Sequence, residues 1–241
     1  MTYLPGGKNI CGVSIGVLSL ESYFPKPPGH IKNPSSLPFT TTYEILGGIT
    51  VPELLNNPSP DMLEPILAAA RRLEAQGVRA ITGSCGFLAM FQKEIAEAVS
   101  IPVFVSSLLQ VPLVYQMTRV PVGVLTASAP SLTEKHIAGA GCEGIPIVVQ
   151  GLEGTEEFAA VILRNERLGM DLGKVEQEVL VAGRALIEKA PEIGAVVLEC
   201  TDLPPYAYQL QAALGRPIFD LTTLATMMHD AVSRQVYLGT V

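Results

Sequence analysis

Two stretches of this chain repeat one another across about half its length. An apolar run ends at a thiol in Arg79-Ala-Ile-Thr-Gly-Ser-Cys85-Gly-Phe87, and again in Gly194-Ala-Val-Val-Leu-Glu-Cys200-Thr-Asp202. Seventeen residues beyond each cysteine stands a proline, in Pro102-Val-Phe104 and in Pro217-Ile-Phe219. Hydroxyl residues then open a further apolar stretch, Ser106-Ser107-Leu108-Leu109 in one copy and Thr222-Thr223-Leu224 in the other. Gly16-Val-Leu18 and Gly123-Val-Leu125 make a third matching pair, each opening its half. Shared order and shared spacing indicate an internal duplication. If a two-fold axis relates the copies, the two thiols face each other across one cleft. That arrangement suits proton exchange without a cofactor.

The apolar runs are short, lack polar alternation and are separated by helical stretches. This pattern predicts parallel sheet buried on both faces. Strands are expected at 11–19, 41–46, 80–82, 103–105, 122–126, 146–149, 195–198 and 218–220. Helices are expected at 61–76, 88–99, 132–139, 173–189, 205–214 and 222–237. Ser59 as N-cap, Pro60 in the first turn and Gly77 as the stop frame the first of them. The expected lobes are residues 1–105 with 221–241, and residues 106–220, so that each copy's final helix crosses to the other lobe. Ligands bind such sheets at the carboxyl ends of strands. Ser19, Cys85, Thr126 and Cys200 all fall at such ends. The segment 23–60 departs from the repeat, with eight of the nineteen prolines and one expected strand. It reads equally as a lid over the site or as an extended surface crossover.

Composition removes several classes. Apolar residues make up 48% and charged ones 16%, which favours a compact globular enzyme. No run approaches the roughly 18 to 20 apolar residues of a membrane span, and the N-terminus lacks the form of a signal peptide. A cytoplasmic setting is therefore expected. A net charge of −7 argues against nucleic acid as a partner. The cysteines at 11, 85, 142 and 200 form no C-x-x-C, and His30, His136 and His229 are scattered, so no zinc site is expected. Cys11 and Cys142 lie outside the repeat and read as small packing residues.

Both repeated thiols fall between a strand end and a helix start, where converging N–H groups favour thiolate and would hold a carboxylate. A buried apolar filler is the alternative for any one free cysteine, and a Cys85–Cys200 disulfide is a third reading that a cytoplasmic setting opposes. Their recurrence at equivalent positions favours an acid/base pair. Around them, Ser84, Gly86 and Thr201 flank the thiols, Thr126 and Ser128 end the first strand of the second copy, and Ser19 ends that of the first. The hydroxyls bind an anion or satisfy turn N–H groups. Asp202 precedes Leu-Pro-Pro and reads as an N-cap that is also able to meet a substrate amine. Tyr43 lies on a strand beside the cleft, where packing is the favoured role and substrate contact the alternative, and Glu199, in strand phase, is expected to point away from Cys200 into a surface or salt-bridge role.

These residues resemble the aspartate/glutamate racemase superfamily over essentially the whole chain. The resemblance rests on the strand ending in Cys85, on Leu198-Glu-Cys200-Thr-Asp202, and on Gly123-Val-Leu-Thr126 opening the second half. It implies two flavodoxin-like α/β lobes with pseudo-two-fold symmetry, one inter-lobe site, a homodimer and no pyridoxal cofactor. It further implies a small carboxylate-containing substrate and a two-thiol racemase or epimerase, with Cys85 and Cys200 as the acid/base pair. Thr126, Ser128 and Thr201 become substrate contacts. There are departures. Amino-acid racemases of this type follow the first cysteine with Asn-Thr, where this chain has Gly86-Phe87. Glutamate racemases carry Asp-Ser where this chain has Ser19-Leu20, and histidine where it has Asp202. The first half of the site thus loses groups that recognise an amino acid. Superfamily relatives also include hydantoin racemases, maleate isomerases, arylmalonate decarboxylases, which keep only the second thiol, and algal-type dimethylsulfoniopropionate lyases. A lyase or cis–trans isomerase using the same thiols is the enzymic alternative. A two-lobed binding protein or thiol redox sensor is the non-enzymic one.

Overall fold

The computed structural model describes residues 6–8 and 10–239. Strands β1 (Ile15–Glu21), β2 (Thr41–Thr50), β3 (Ala80–Gly83) and β4 (Val103–Phe104) form a parallel sheet in the order β2-β1-β3-β4. Strands β5 (Val122–Thr126), β6 (Ile147–Gly151), β7 (Ala195–Leu198) and β8 (Ile218–Phe219) form a second, in the order β6-β5-β7-β8. The two orders are the same. So is the pairing register at the centre: Ile15 faces Ala80 in the first sheet, and Val122 faces Ala195 in the second. Strands β3, β5 and β7 are buried at every position. Helices cover both faces, and this explains why the runs carry no polar alternation.

The helices are α1 (Val51–Asn56), α2 (Leu63–Gln76), α3 (Gln92–Glu97), α4 (Val111–Thr118), α5 (Glu134–Gly139), α6 (Leu172–Lys189), α7 (Ala207–Leu214) and α8 (Leu221–Val232). Helix α2 buries Ile66, Ala69, Ala70 and Leu73, one stripe at helical spacing, and ends at a left-handed Gly77. Helix α6 does the same in the second lobe through Val175, Val179, Ala182 and Leu186. A Cβ on Gly16 would lie 2.9 Å from Leu73, and one on Gly123 3.0 Å from Leu186. A bare backbone in each first strand is therefore what lets each helix close on its sheet. The last helix, α8, is capped by Asp220 and buries Leu221, Leu224 and Ala225 against Ile15, Val17, Ala80 and Phe104 of the first sheet. Each fully buried leucine of this kind contributes about 1.5–3 kcal/mol.

Several boundaries differ from the sequence reading. The first strand starts at Ile15, leaving Cys11 exposed, so Cys11 is not a packing residue. The stretch 88–99 divides into a 3-10 segment, Gly86–Phe91, and the short α3, because Phe87, Leu88, Ala89 and Phe91 are all buried and no single helical face could bury them together. The final helix stops at Val232, beyond which Val236, Tyr237 and Leu238 find no core and are exposed. Helix α1 emerges from the proline-rich segment. Its signal was the capping box formed by Thr50 and Glu53. Among the described residues no helix is long and apolar enough to cross a membrane.

Candidate active site

Cys85 follows the end of β3 and Cys200 the end of β7, and both are buried in one pocket between the two sheets. Hydroxyl groups brace the loops that carry them. Thr201 Oγ1 donates to the Ser84 carbonyl at 2.6 Å, across the lobes, and the Leu20 N–H donates to Ser84 Oγ at 2.9 Å. Ser107 Oγ donates to the Leu198 carbonyl at 2.6 Å. The Phe87 N–H faces Cys85 and the Asp202 N–H faces Cys200.

Two carboxyl groups act on both thiols, Glu199 foremost on Cys85 and Asp202 foremost on Cys200. Cys200 Sγ donates to Asp202 Oδ2 at 3.5 Å, and Asp202 Oδ1 lies 3.0 Å from His30 Nε2. His30 is buried, and its Nδ1 accepts the Lys32 N–H at 2.8 Å. The ring proton therefore sits on Nε2, facing Asp202. On the other side stands Glu199. Its Oε2 accepts from Thr126 Oγ1 at 2.7 Å, while its buried Oε1 has no hydrogen-bond partner among the described residues. A Cβ on Gly86 would lie 2.2 Å from that Oε1 and 2.3 Å from the Glu199 carbonyl. The glycine after Cys85 thus makes room for the carboxyl group. Strand phase placed Glu199 away from the site, and this is corrected: β7 ends at Leu198, so the alternation no longer governs the next side chain, which turns inward and lines the pocket.

The electrostatics follow from burial. Burial pushes the Cys85 thiol well up, and the Glu199 and Asp202 charges add to this against the Phe87 N–H. Burial likewise pushes Cys200 well up, with Asp202 and Glu199 adding and its own backbone donor opposing. Glu199 is pushed up to about 7 by burial, against hydrogen bonds from Thr126 and the Ala127 N–H. The expectation that strand-end N–H groups favour thiolate does not hold here. The segments that follow are short turns with weak dipoles, and loss of hydration outweighs them. The resting site holds thiols, with carboxyl groups placed to influence their protons.

Of the residues singled out from sequence, Ser84, Cys85, Cys200, Thr201 and Asp202 line the pocket together. Gly86 and Thr126 meet it indirectly, through Glu199. Three lie elsewhere. Ser128 Oγ is bonded to Ser131 Oγ at 2.8 Å in the turn after β5. Tyr43 OH donates to the Ile31 carbonyl at 3.0 Å and fastens a loop. Ser19 is buried in β1 beside its neighbour's carbonyl. Sequence reasoning missed Glu199, the apolar lining from Leu20, Val51, Leu55, Phe87, Ala127 and Ile162, and one strap, 22–40. It carries Ser22, Phe24, His30 and Lys32 over the pocket, leaving a cavity of about 10 Å³, room for roughly one water. The rest of the 23–60 segment is mainly β2 and α1 and belongs to the first lobe.

The family pattern described as Asp/Glu/Hydantoin racemase matches residues 57–228. A "Dimethylsulfoniopropionate lyase" of Durusdinium is 31% identical over 227 residues, covering 90% of this chain and 74% of that protein. "Dimethylsulfoniopropionate lyase 5" of Emiliania huxleyi is 32% identical over 232 residues, 90% of this chain but 45% of its own length. This chain thus spans about half of that relative. Among solved structures, a glycine-to-cysteine variant of arylmalonate decarboxylase superposes with a TM-score of 0.62 at 17% identity, covering 94% of this chain and 97% of that one. An aspartate racemase homologue from Pyrococcus horikoshii gives 0.58 at 19%, covering 92% and 99%. At such identities these two establish the shared fold.

Proposed function

The chain belongs to the Asp/Glu/hydantoin racemase family, and from that premise we propose that it is a lyase. In this reading it removes the proton α to the carboxylate of dimethylsulfoniopropionate and expels dimethyl sulfide, leaving acrylate. The observation that carries the reading is the 31% identity, over 90% of the chain, to a lyase of that name. The geometry supports it, because elimination needs one base on one face and the two thiols are differently equipped. Cys200 has a proton acceptor at hydrogen-bond distance in Asp202; Cys85 has a carboxyl neighbour whose free oxygen is not bonded to it.

The step is a β-elimination. Cys200 gives its proton to Asp202 and takes the substrate's α-proton as thiolate. The C–H electron pair becomes the new C=C bond, and the C–S bond breaks with its electrons on dimethyl sulfide. The Glu199 carboxyl group suits a cationic sulfonium, and the Lys32 ammonium and the N–H group of Phe87 suit the carboxylate. Donors aimed at the carboxylate oxygen stabilise the charge that develops there. The lobes in this reading are residues 1–105 with 221–241, and 106–220. A second reading, racemisation of a small chiral acid, is favoured by the presence of two thiols in one pocket. Incubation of the purified protein with dimethylsulfoniopropionate, with head-space chromatography for dimethyl sulfide and NMR for acrylate, separates the two. The lyase releases both in equal amounts. A protein that releases neither, yet exchanges the α-proton of a chiral acid in D₂O, is a racemase.

A further inference from the structure

The strap over the pocket does more than cover it. His30 lies in the sequence Pro27-Pro28-Gly29-His30, on a loop that leaves the first lobe after β1, yet its partner Asp202 belongs to the loop after β7 in the second. The chain of contacts runs without a gap: Cys200 Sγ to Asp202 Oδ2 at 3.5 Å, Asp202 Oδ1 to His30 Nε2 at 3.0 Å, His30 Nδ1 to the Lys32 N–H at 2.8 Å. Further contacts hold the strap down. Lys32 Nζ donates to the Leu20 carbonyl of β1 at 2.7 Å and, within the strap, to Ser22 Oγ at 2.9 Å. Phe39 stacks on His229 of α8 with ring centroids 3.9 Å apart. Gly29, at φ +103°, rests on the second lobe so closely that a Cβ would lie 2.7 Å from Pro205 Cα and 2.8 Å from its nitrogen. Meanwhile the cavity beneath holds about 10 Å³, too little for any organic acid. Any organic acid therefore needs the pocket to widen, and lifting the strap would open it and withdraw His30 from Asp202.

We propose that His30 is a positioning residue whose delivery by the strap completes the Cys200–Asp202 pair, so that closure over the substrate assembles the proton acceptor. With the strap raised, Asp202 loses the donor that fixes its Oδ1 and is free to turn its other oxygen away from the thiol. With the strap down, one carboxylate oxygen is held by the imidazole and the other is aimed at Cys200. Coupling of closure to assembly keeps the base inactive until water is excluded. The idea rests on Cys200 as the base of the proposed lyase, but its mechanical half does not need that reaction.

The test uses His30→Ala, His30→Gln and Gly29→Ala in the full chain, with two readouts. In dimethyl sulfide release, His30→Ala lowers kcat on the order of 10²-fold, the scale of a misplaced catalytic group, with a much smaller change in KM. His30→Gln keeps an N–H donor and recovers most of the loss. Gly29→Ala leaves the imidazole intact but props the strap off Pro205, and lowers kcat as His30→Ala does. The second readout is alkylation of Cys85 and Cys200 by iodoacetamide, followed by peptide mass spectrometry without substrate. Both thiols are shielded in the wild type and label faster in His30→Ala and Gly29→Ala. Unchanged labelling in both variants overturns the latch, and wild-type kcat in His30→Ala overturns the positioning role. If the wild type releases no dimethyl sulfide, the lyase reading fails, and labelling alone still decides the latch. Circular dichroism of each variant separates a lifted strap from a failed fold.

Discussion

The loop after β3 and the loop after β7 grew from the same pattern, and the contrast between them is instructive. Both end a buried central strand in a thiol, both sit on a sheet of the same order, and a threonine from one loop ties down the serine of the other. Beyond that they diverge. The β7 loop supplies both carboxyl groups, Glu199 and Asp202, while the β3 loop supplies none and places glycine where Glu199 needs space. The strap adds His30 to the β7 side. A symmetric frame thus carries an asymmetric set of proton partners. A racemase must abstract from either face; an eliminating enzyme works from one, and the asymmetry suits the second task.

The comparison breaks most visibly at the thiols. Cys200→Ser is expected to lower dimethyl sulfide release by about 10⁴ and Cys85→Ser by about 10², the two ends of the usual range for acid–base groups. Equal losses in steady-state kinetics would restore the symmetric picture. The next largest effect belongs to Glu199. Its folded-state value of about 7 stands above the roughly 4.3 of an unfolded glutamate. Between those limits the native protein holds a proton that the unfolded chain has released, so wild-type stability falls as pH rises through the window. Glu199→Gln removes this loss. The gap in unfolding free energy between variant and wild type, read from denaturation curves, should shift in the variant's favour from about pH 4 to 7 and then level off, by up to on the order of 3 kcal/mol. A gap that does not change with pH would mean that Glu199 titrates as an ordinary surface acid does.

Gly86→Ala tests the space that Glu199 occupies. The added methyl meets Glu199 Oε1 and its carbonyl, and overpacking of this kind costs about 1–3 kcal/mol, measurable as a lower denaturation midpoint. Gly86→Ala combined with Glu199→Ala relieves only the side-chain part. The smallest effect is expected of Thr126→Val, which deletes the 2.7 Å hydrogen bond to Glu199. It should cost about 1 kcal/mol and raise the Glu199 titration further, as seen by carboxyl-carbon NMR.

Much of this was legible from the repeats. Strand ends located both thiols, and the shared spacing to Pro102 and Pro217 reflects two sheets of the same order. The boundaries were less legible, since the 3-10 turn after Cys85 and the end of α8 are set by what remains to be buried. Glu199 was misread because alternation stops where a strand stops. His30 gave no signal at all: its partner is distant in sequence, and only the folded strap brings the two together. Ser19 and Ser128 lay at plausible positions along the chain but hydrogen-bond to near neighbours in sequence, and Tyr43 holds the Ile31 carbonyl of the strap.

The one-sided base can be tested directly with dimethylsulfoniopropionate carrying deuterium stereospecifically at the α-carbon. In a site with one base, acrylate from one α-deuterated enantiomer loses its deuterium and acrylate from the other retains it, in the wild-type protein. If both enantiomers give the same mixture, protons leave from both faces, and the functional contrast between the Cys85 and Cys200 halves is wrong.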